Sequence, residues 1–198
     1  MEKTVRFTGN AVPLERSDVD TDQIIPSDWL KRVERTGFGA GLFSEWREDA
    51  SFILNDDRYS KATILVAGEN FGTGSSREHA VWALMDFGFR AVLSSRFGDI
   101  FFNNSTKAGL VPVKLSEEEI KTLQKALIDD PTLEITVDIE ALSVSAPSIG
   151  FEAKFNLNEF TRYRFLEGLD DIGLTLAKED KISTFEKSRP SFYPNLAR

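Results

Sequence analysis

The chain contains no cysteine, and that absence alone removes several classes of protein. No disulfide framework can staple it, and it cannot by itself hold a cysteine-ligated zinc ion or iron–sulfur cluster. Positive charge is also scarce: 24 Lys plus Arg face 32 Asp plus Glu, for a net charge of -8 with no dense basic cluster. Neutralisation of phosphates by Lys and Arg supplies most non-specific nucleic-acid affinity, so a nucleic-acid role is disfavoured. Long apolar runs are missing too. Nothing approaches the roughly 20 apolar residues that span a bilayer, and the opening MEKTVRFTGNAVPLE lacks the apolar stretch of a signal peptide. A soluble cytoplasmic protein is the simplest expectation. What is present suits one globular domain: 198 residues, 41% of them hydrophobic and 28% charged, are enough to bury a sizeable core.

Along the chain, ATILVAGENF (62–71) begins as a continuous β-branched run, as a strand covered on both faces requires. In SSREHAVWALMDFG, Ala80, Val81, Leu84 and Phe87 fall near helical spacing, and Gly88 follows where a helix end often needs a left-handed residue. RAVLSSRF, GDIFFNNSTKAG and LVPVKL repeat the strand, helix, strand order. Ser116 and Glu119 have capping-box spacing ahead of an apolar helical face of Ile120, Leu123, Ala126 and Leu127. A βαβαβα core over about 62–129, built on a parallel sheet, is therefore expected. Beyond Pro131, LEITVDIEALSVSA and FEAKFNL have period-two stretches that predict antiparallel strands, in a mixed sheet or a second β layer. NEFTRYRFLEGLDD and AKEDKISTFEKS predict helices ahead of the aperiodic tail RPSFYPNLAR. Two stretches, RSDVDTDQIIPSDWLKRVERTGFGAG and SEWREDASFILNDDRYS, show no period and are expected to be functional or disordered loops.

The densest chemistry lies in GENFGTGSSREHA (68–80), where three glycines meet two serines, an arginine, a glutamate and the only histidine, His79. A glycine-rich loop opening a helix cradles anions, because free backbone N–H groups and the helix dipole both favour negative charge there. The common nucleotide and acyl templates do not fit. A P-loop needs Gly-Lys where Thr73 and Gly74 stand, a dinucleotide fingerprint would put Arg77 at its third small position, and GTGSSR breaks the G-x-S-x-G elbow. Two hydroxyls, backbone donors and a guanidinium remain, and arginine matches a carboxylate bidentately, so a small carboxylate is the expected ligand. Plainer roles stand beside this one. Ser75 and Glu78 also have capping-box spacing, Arg77 suits a solvated surface position, and His79 suits a satisfied helix residue. Upstream, Asp18, Asp20 and Asp22 alternate like the start of a calcium loop, but Gln23 and Trp29 occupy the positions that need Gly and Glu. Local capping and turning of the chain would account for them.

DVDTDQIIP, WLKRVERTGFGAGLF, ENFGTGSSREHAVWAL, SRFGDIFFNNSTKAGLVPV and GLDDIGLTL together resemble, in order and over most of the chain, the 3-isopropylmalate dehydratase small-subunit family. That family is related to the swivelling C-terminal domain of aconitase. The resemblance implies an α/β fold, a three-layer β/β/α swivelling domain with a parallel core and additional antiparallel strands. It implies one domain over 1–198, with a helical extension and tail from about 158. It implies a large-subunit partner carrying a [4Fe-4S] cluster on its own cysteines, with no cofactor or metal bound by this chain, and isomerisation of 2-isopropylmalate and 3-isopropylmalate through isopropylmaleate. Within the site it implies Ser75 as the base, acting as an alkoxide, and Ser76 and Arg77 on a substrate carboxylate. Thr21 and Asp22 would sit at the mouth of the same site, and Leu30, Val33, Thr36 and Gly37 would lie in the loop that sets substrate choice. Homoaconitate or citramalate chemistry, and a noncatalytic anion-binding module, are the alternatives.

Overall fold

The computed structural model describes residues 1–31 and 36–189. Its frame is one seven-stranded sheet in the order β4-β3-β2-β1-β5-β6-β7. The central strand β1 (Arg6–Leu14) changes partner halfway along. Its second half, Ala11–Leu14, pairs in parallel with β2 (Ile64–Ala67), while its first half, Arg6–Asn10, pairs antiparallel with β5 (Glu134–Asp138). β3 (Ala91–Ser94) and β4 (Val111–Lys114) extend the parallel side, and β6 (Ser143–Ala146) and β7 (Phe151–Lys154) the antiparallel side. β1 carries Thr8, Gly9, Asn10 and Pro13 instead of a continuous apolar run, so its central place comes from pairing and not from composition. Pro13 lies in the half flanked by β2 alone, away from the β5 ladder, where a missing N–H is tolerated.

Alternation of side chains about the strands divides the interior in two. Leu65, Ala67 and Val92 face a cluster completed by α2 (Glu78–Phe87) and α3 (Asp99–Ala108) through Ala80, Val81, Leu84 and Phe101. Ile64, Val66, Ala91 and Leu93 face the opposite cluster, which is filled by α4 (Glu117–Asp129) and by Ile135, Val137 and Val144 of the antiparallel strands. The sheet curls so that α4 and the antiparallel half share one core. Buried Gln124 of α4 donates from Nε2 to the carbonyls of Leu14 and Val66, each at 3.2 Å, which ties the helix to two adjacent strand ends.

Both aperiodic stretches are structured over their described residues. The first forms α1 (Thr21–Ile24) and 3-10 turns at Ser27–Lys31 and Phe38–Gly41, and the second forms short turns from Trp46 to Tyr59. They are ordered by burial without periodicity: Ile24, Ile25, Phe38, Leu42 and Phe43 are all within 1% of complete burial. Near the C-terminus, α5 (Glu159–Glu167), α6 (Asp171–Leu176) and α7 (Glu179–Ser188) follow the sheet. α5 is held to the chain start by a bond from Thr4 N to Phe165 O at 2.8 Å. No helix among the described residues is long and apolar enough to cross a membrane.

Candidate functional site

The loop between β2 and α2, residues 68–77, follows the carboxyl end of a parallel strand, where such sheets place their ligands. It turns through left-handed backbone at Asn70, Gly72 and Gly74. At Gly72 (φ 73°) glycine is required twice over, because a Cβ there would also overlap the buried Phe101, lying 2.7 Å from its Cβ and Cδ1 and closer still to its Cγ. Neighbouring segments hold the loop from both sides. Gly72 N donates to Val19 O at 2.7 Å and Thr21 N to Thr73 O at 2.9 Å, while Phe71 N donates to Arg96 O and Gly98 N to Phe71 O, both at 2.9 Å. The acidic segment around Asp20 and the loop after β3 therefore set the shape of the glycine loop.

The loop presents two exposed serines, Ser75 and Ser76, just before α2. The capping box possible for Ser75 and Glu78 does not form: the N-cap of α2 is Arg77, and no side chain caps it. Ser116 shows the contrast, since its Oγ accepts from Glu119 N at 3.2 Å while Glu119 Oε2 accepts from Ser116 N at 2.7 Å. Both Ser75 and the first turn of α2 are thus left without the capping bond, which is the condition for meeting an anion.

Arg77 is not a free surface charge. Its Nη1 donates to Asp22 Oδ1, with 20% of the arginine side chain exposed against 54% of the aspartate. Asp22 sits on α1, whose start is fixed by Asp20: Gln23 N donates to Asp20 Oδ1 at 2.8 Å and Asp20 N to Gln23 Oε1 at 2.9 Å. Asp18 accepts from Asn70 Nδ2 at 2.8 Å. The three alternating carboxylates thus have three separate partners, and no group of three or more His, Cys, Asp or Glu able to hold a metal occurs among the described residues. Thr21 is brought to the site but turned inward. It is 2% exposed, and its hydroxyl donates to the carbonyl of Ser75 at 2.9 Å.

The expected specificity stretch reaches α2 at its other end. Leu30 is half-buried against the core, Thr36 and Gly37 are exposed, and Val33 lies outside the described residues. Gly37 is left-handed (φ 84°), and the chain then packs Phe38 edge-on against His79, with ring centroids 5.3 Å apart. His79 also meets Trp82 edge-on at 4.8 Å, so the lone histidine serves as an aromatic packing residue. Phe38 N donates to Asp86 Oδ2 at 3.0 Å. Asp86 was not visible as a site-supporting residue in the sequence. One signal was there: a carboxylate in the last turn of a helix opposes the dipole, which suggests a tertiary partner.

Comparison with known proteins identifies the family and the fold. A family model described as the aconitase C-terminal domain matches residues 1–118, and one described as the C-terminal domain of the 3-isopropylmalate dehydratase small subunit matches residues 171–198. The 3-isopropylmalate dehydratase small subunit of Frankia casuarinae is 60% identical over 197 residues, covering 100% of both chains. That of Salinispora arenicola is 59% identical, covering 99% of this chain and 100% of its own. Among solved structures, the 3-isopropylmalate dehydratase from Methanocaldococcus jannaschii superposes with a TM-score of 0.68 at 25% identity, covering 91% of this chain and 99% of that one.

Proposed function

The chain belongs to the family of 3-isopropylmalate dehydratase small subunits, and from that premise we propose that it acts as one half of a two-subunit hydro-lyase of leucine biosynthesis. The reaction interconverts 2-isopropylmalate and 3-isopropylmalate through isopropylmaleate. One observation carries the site assignment: two exposed serines precede an uncapped helix N-terminus beside an arginine held by a carboxylate.

Dehydration removes a hydroxyl from one carbon and a weakly acidic proton from its neighbour, so the site needs a base at that C–H. Ser75 Oγ is that base, as an alkoxide, and it returns the proton when isopropylmaleate is rehydrated. An alkoxide is costly near neutral pH. The N-terminal end of α2 and the Arg77 guanidinium supply the positive potential that lowers this cost. Ser76 and Arg77 bind a substrate carboxylate, with Asp22 fixing the direction of the guanidinium. Leu30, Thr36 and Gly37 border the substrate's alkyl group, and the return of this stretch is anchored on α2 through Phe38.

With no cysteine, this chain's residues do not fit a [4Fe-4S] cluster. On this reading the cluster and its cysteines belong to a large-subunit partner in the cytoplasm, and its iron would supply the Lewis acid for the hydroxyl. The chain is then a single swivelling domain that closes over that partner, with a helical extension from about 158. Substrate profiling of the reconstituted pair tests the assignment. Isopropylmalate should be turned over with the highest kcat/KM, and a preference for homoaconitate or citramalate would move the chain to the same chemistry on another acid.

A further inference from the structure

Thr21 occupies an unusual position for a residue expected at the mouth of a binding site. It is 2% exposed and holds the catalytic loop at two points, with its backbone N on Thr73 O at 2.9 Å and its Oγ1 on Ser75 O at 2.9 Å. The two bonds bracket Gly74, which is left-handed at φ 84°. The Ser75 carbonyl also accepts from Arg77 N at 2.8 Å, so it points inward between a side-chain donor and a backbone donor. Since the peptide is trans, the N–H of Ser76 points the opposite way, toward the exposed side of the loop. The orientation of that one peptide sets the direction of the Ser75 side chain and of the donors beside it.

We infer that Thr21 is a positioning residue: its hydroxyl holds the Ser75–Ser76 peptide in the reactive orientation and does not touch substrate. This rests on the dehydratase reading, with Ser75 as the base. Because the hydroxyl already donates to Ser75, it has no proton left to offer a ligand. Removing it would leave the Ser75 carbonyl held by Arg77 N, a bond within the loop itself, and would loosen the tie of that peptide to α1. The damage should therefore fall on the chemical step and spare substrate binding.

The test is steady-state hydration of isopropylmaleate by the cluster-loaded large subunit with wild-type chain, Thr21→Val, Thr21→Ala and Thr21→Ser, each checked by circular dichroism. Thr21→Val, which keeps the volume and removes the donor, should lower kcat about tenfold or more, with KM changed by less than about twofold. Thr21→Ala should behave alike, and Thr21→Ser should recover most of the rate. A raised KM at unchanged kcat would make Thr21 a substrate ligand and overturn the inference. So would wild-type kinetics in Thr21→Val, or loss of folding in both Thr21→Val and Thr21→Ala, which would make it a residue of the fold alone. A wild-type pair without turnover would remove the dehydratase reading and the inference with it.

Discussion

Replacing Gly72 by alanine should destabilise the isolated chain by about 2–4 kcal/mol, and the structure divides that figure into two parts. A left-handed backbone costs an L-residue about 1 kcal/mol. The remainder is overpacking, for which about 1–3 kcal/mol is typical: the new methyl would lie 2.7 Å from Cβ and Cδ1 of Phe101 and closer still to Cγ, on a ring 2% exposed. That ring has little room to retreat, being edge-on to Phe71 at 5.3 Å and stacked with Phe97 at 6.3 Å. Urea unfolding followed by tryptophan fluorescence measures the total. A double-mutant cycle with Phe101→Ala separates the parts, because without the ring only the backbone cost of about 1 kcal/mol should remain. A cost below about 0.5 kcal/mol for Gly72→Ala, or no coupling to Phe101, would refute the view that Phe101 and the glycine turn jointly fix the loop.

Ser75→Ala should leave the urea midpoint within about 0.5 kcal/mol of wild type, since Ser75 caps nothing, whereas Ser116→Ala should cost about 1 kcal/mol through its capping box. Asp22→Asn should raise KM several-fold with little loss of stability, because an ion pair with a carboxylate 54% exposed contributes about 0–1 kcal/mol; an unchanged KM would show that Arg77 needs no orienting partner. Tyr59 donates to Leu127 O at 2.9 Å, and burial raises its phenol above its ordinary value. The folded state therefore holds that proton more tightly, so the stabilising effect is complete below about pH 10 and is lost as the pH rises further. Tyr59→Phe should flatten this alkaline decline in urea titrations, while costing about 1 kcal/mol at neutral pH.

The parallel core was legible because its strands are buried on both faces and carry unbroken apolar runs, as at 64–67 and 91–93. The helices between them ended at Gly88 and Gly109, both left-handed. β1 was not legible. Its partners lie far away in sequence, at Ile64 and Asp138, and its own residues mix Thr, Gly, Asn and Pro with apolar ones. The turns from Ser27 to Tyr59 escaped for a related reason, since each is too short to show a period and is ordered by rings such as Phe38 and Phe43 buried elsewhere. At the site, residue types and order were readable and roles less so. Spacing allowed Ser75 to be a cap, and the family resemblance put Thr21 at the mouth of the site, but the cap falls at Arg77 and the threonine hydroxyl turns inward to Ser75. Both outcomes depend on the contact between Asp20–Asp22 and the glycine loop, which joins positions more than fifty residues apart.

The most direct test of the central claim is isopropylmaleate hydration by the large subunit mixed with wild-type chain or with Ser75→Ala, with each protein alone as control. Turnover by the wild-type pair only, with Ser75→Ala folded but inactive, is the predicted result. An active Ser75→Ala pair would contradict the assignment of the base, and an inactive wild-type pair would contradict the assigned reaction.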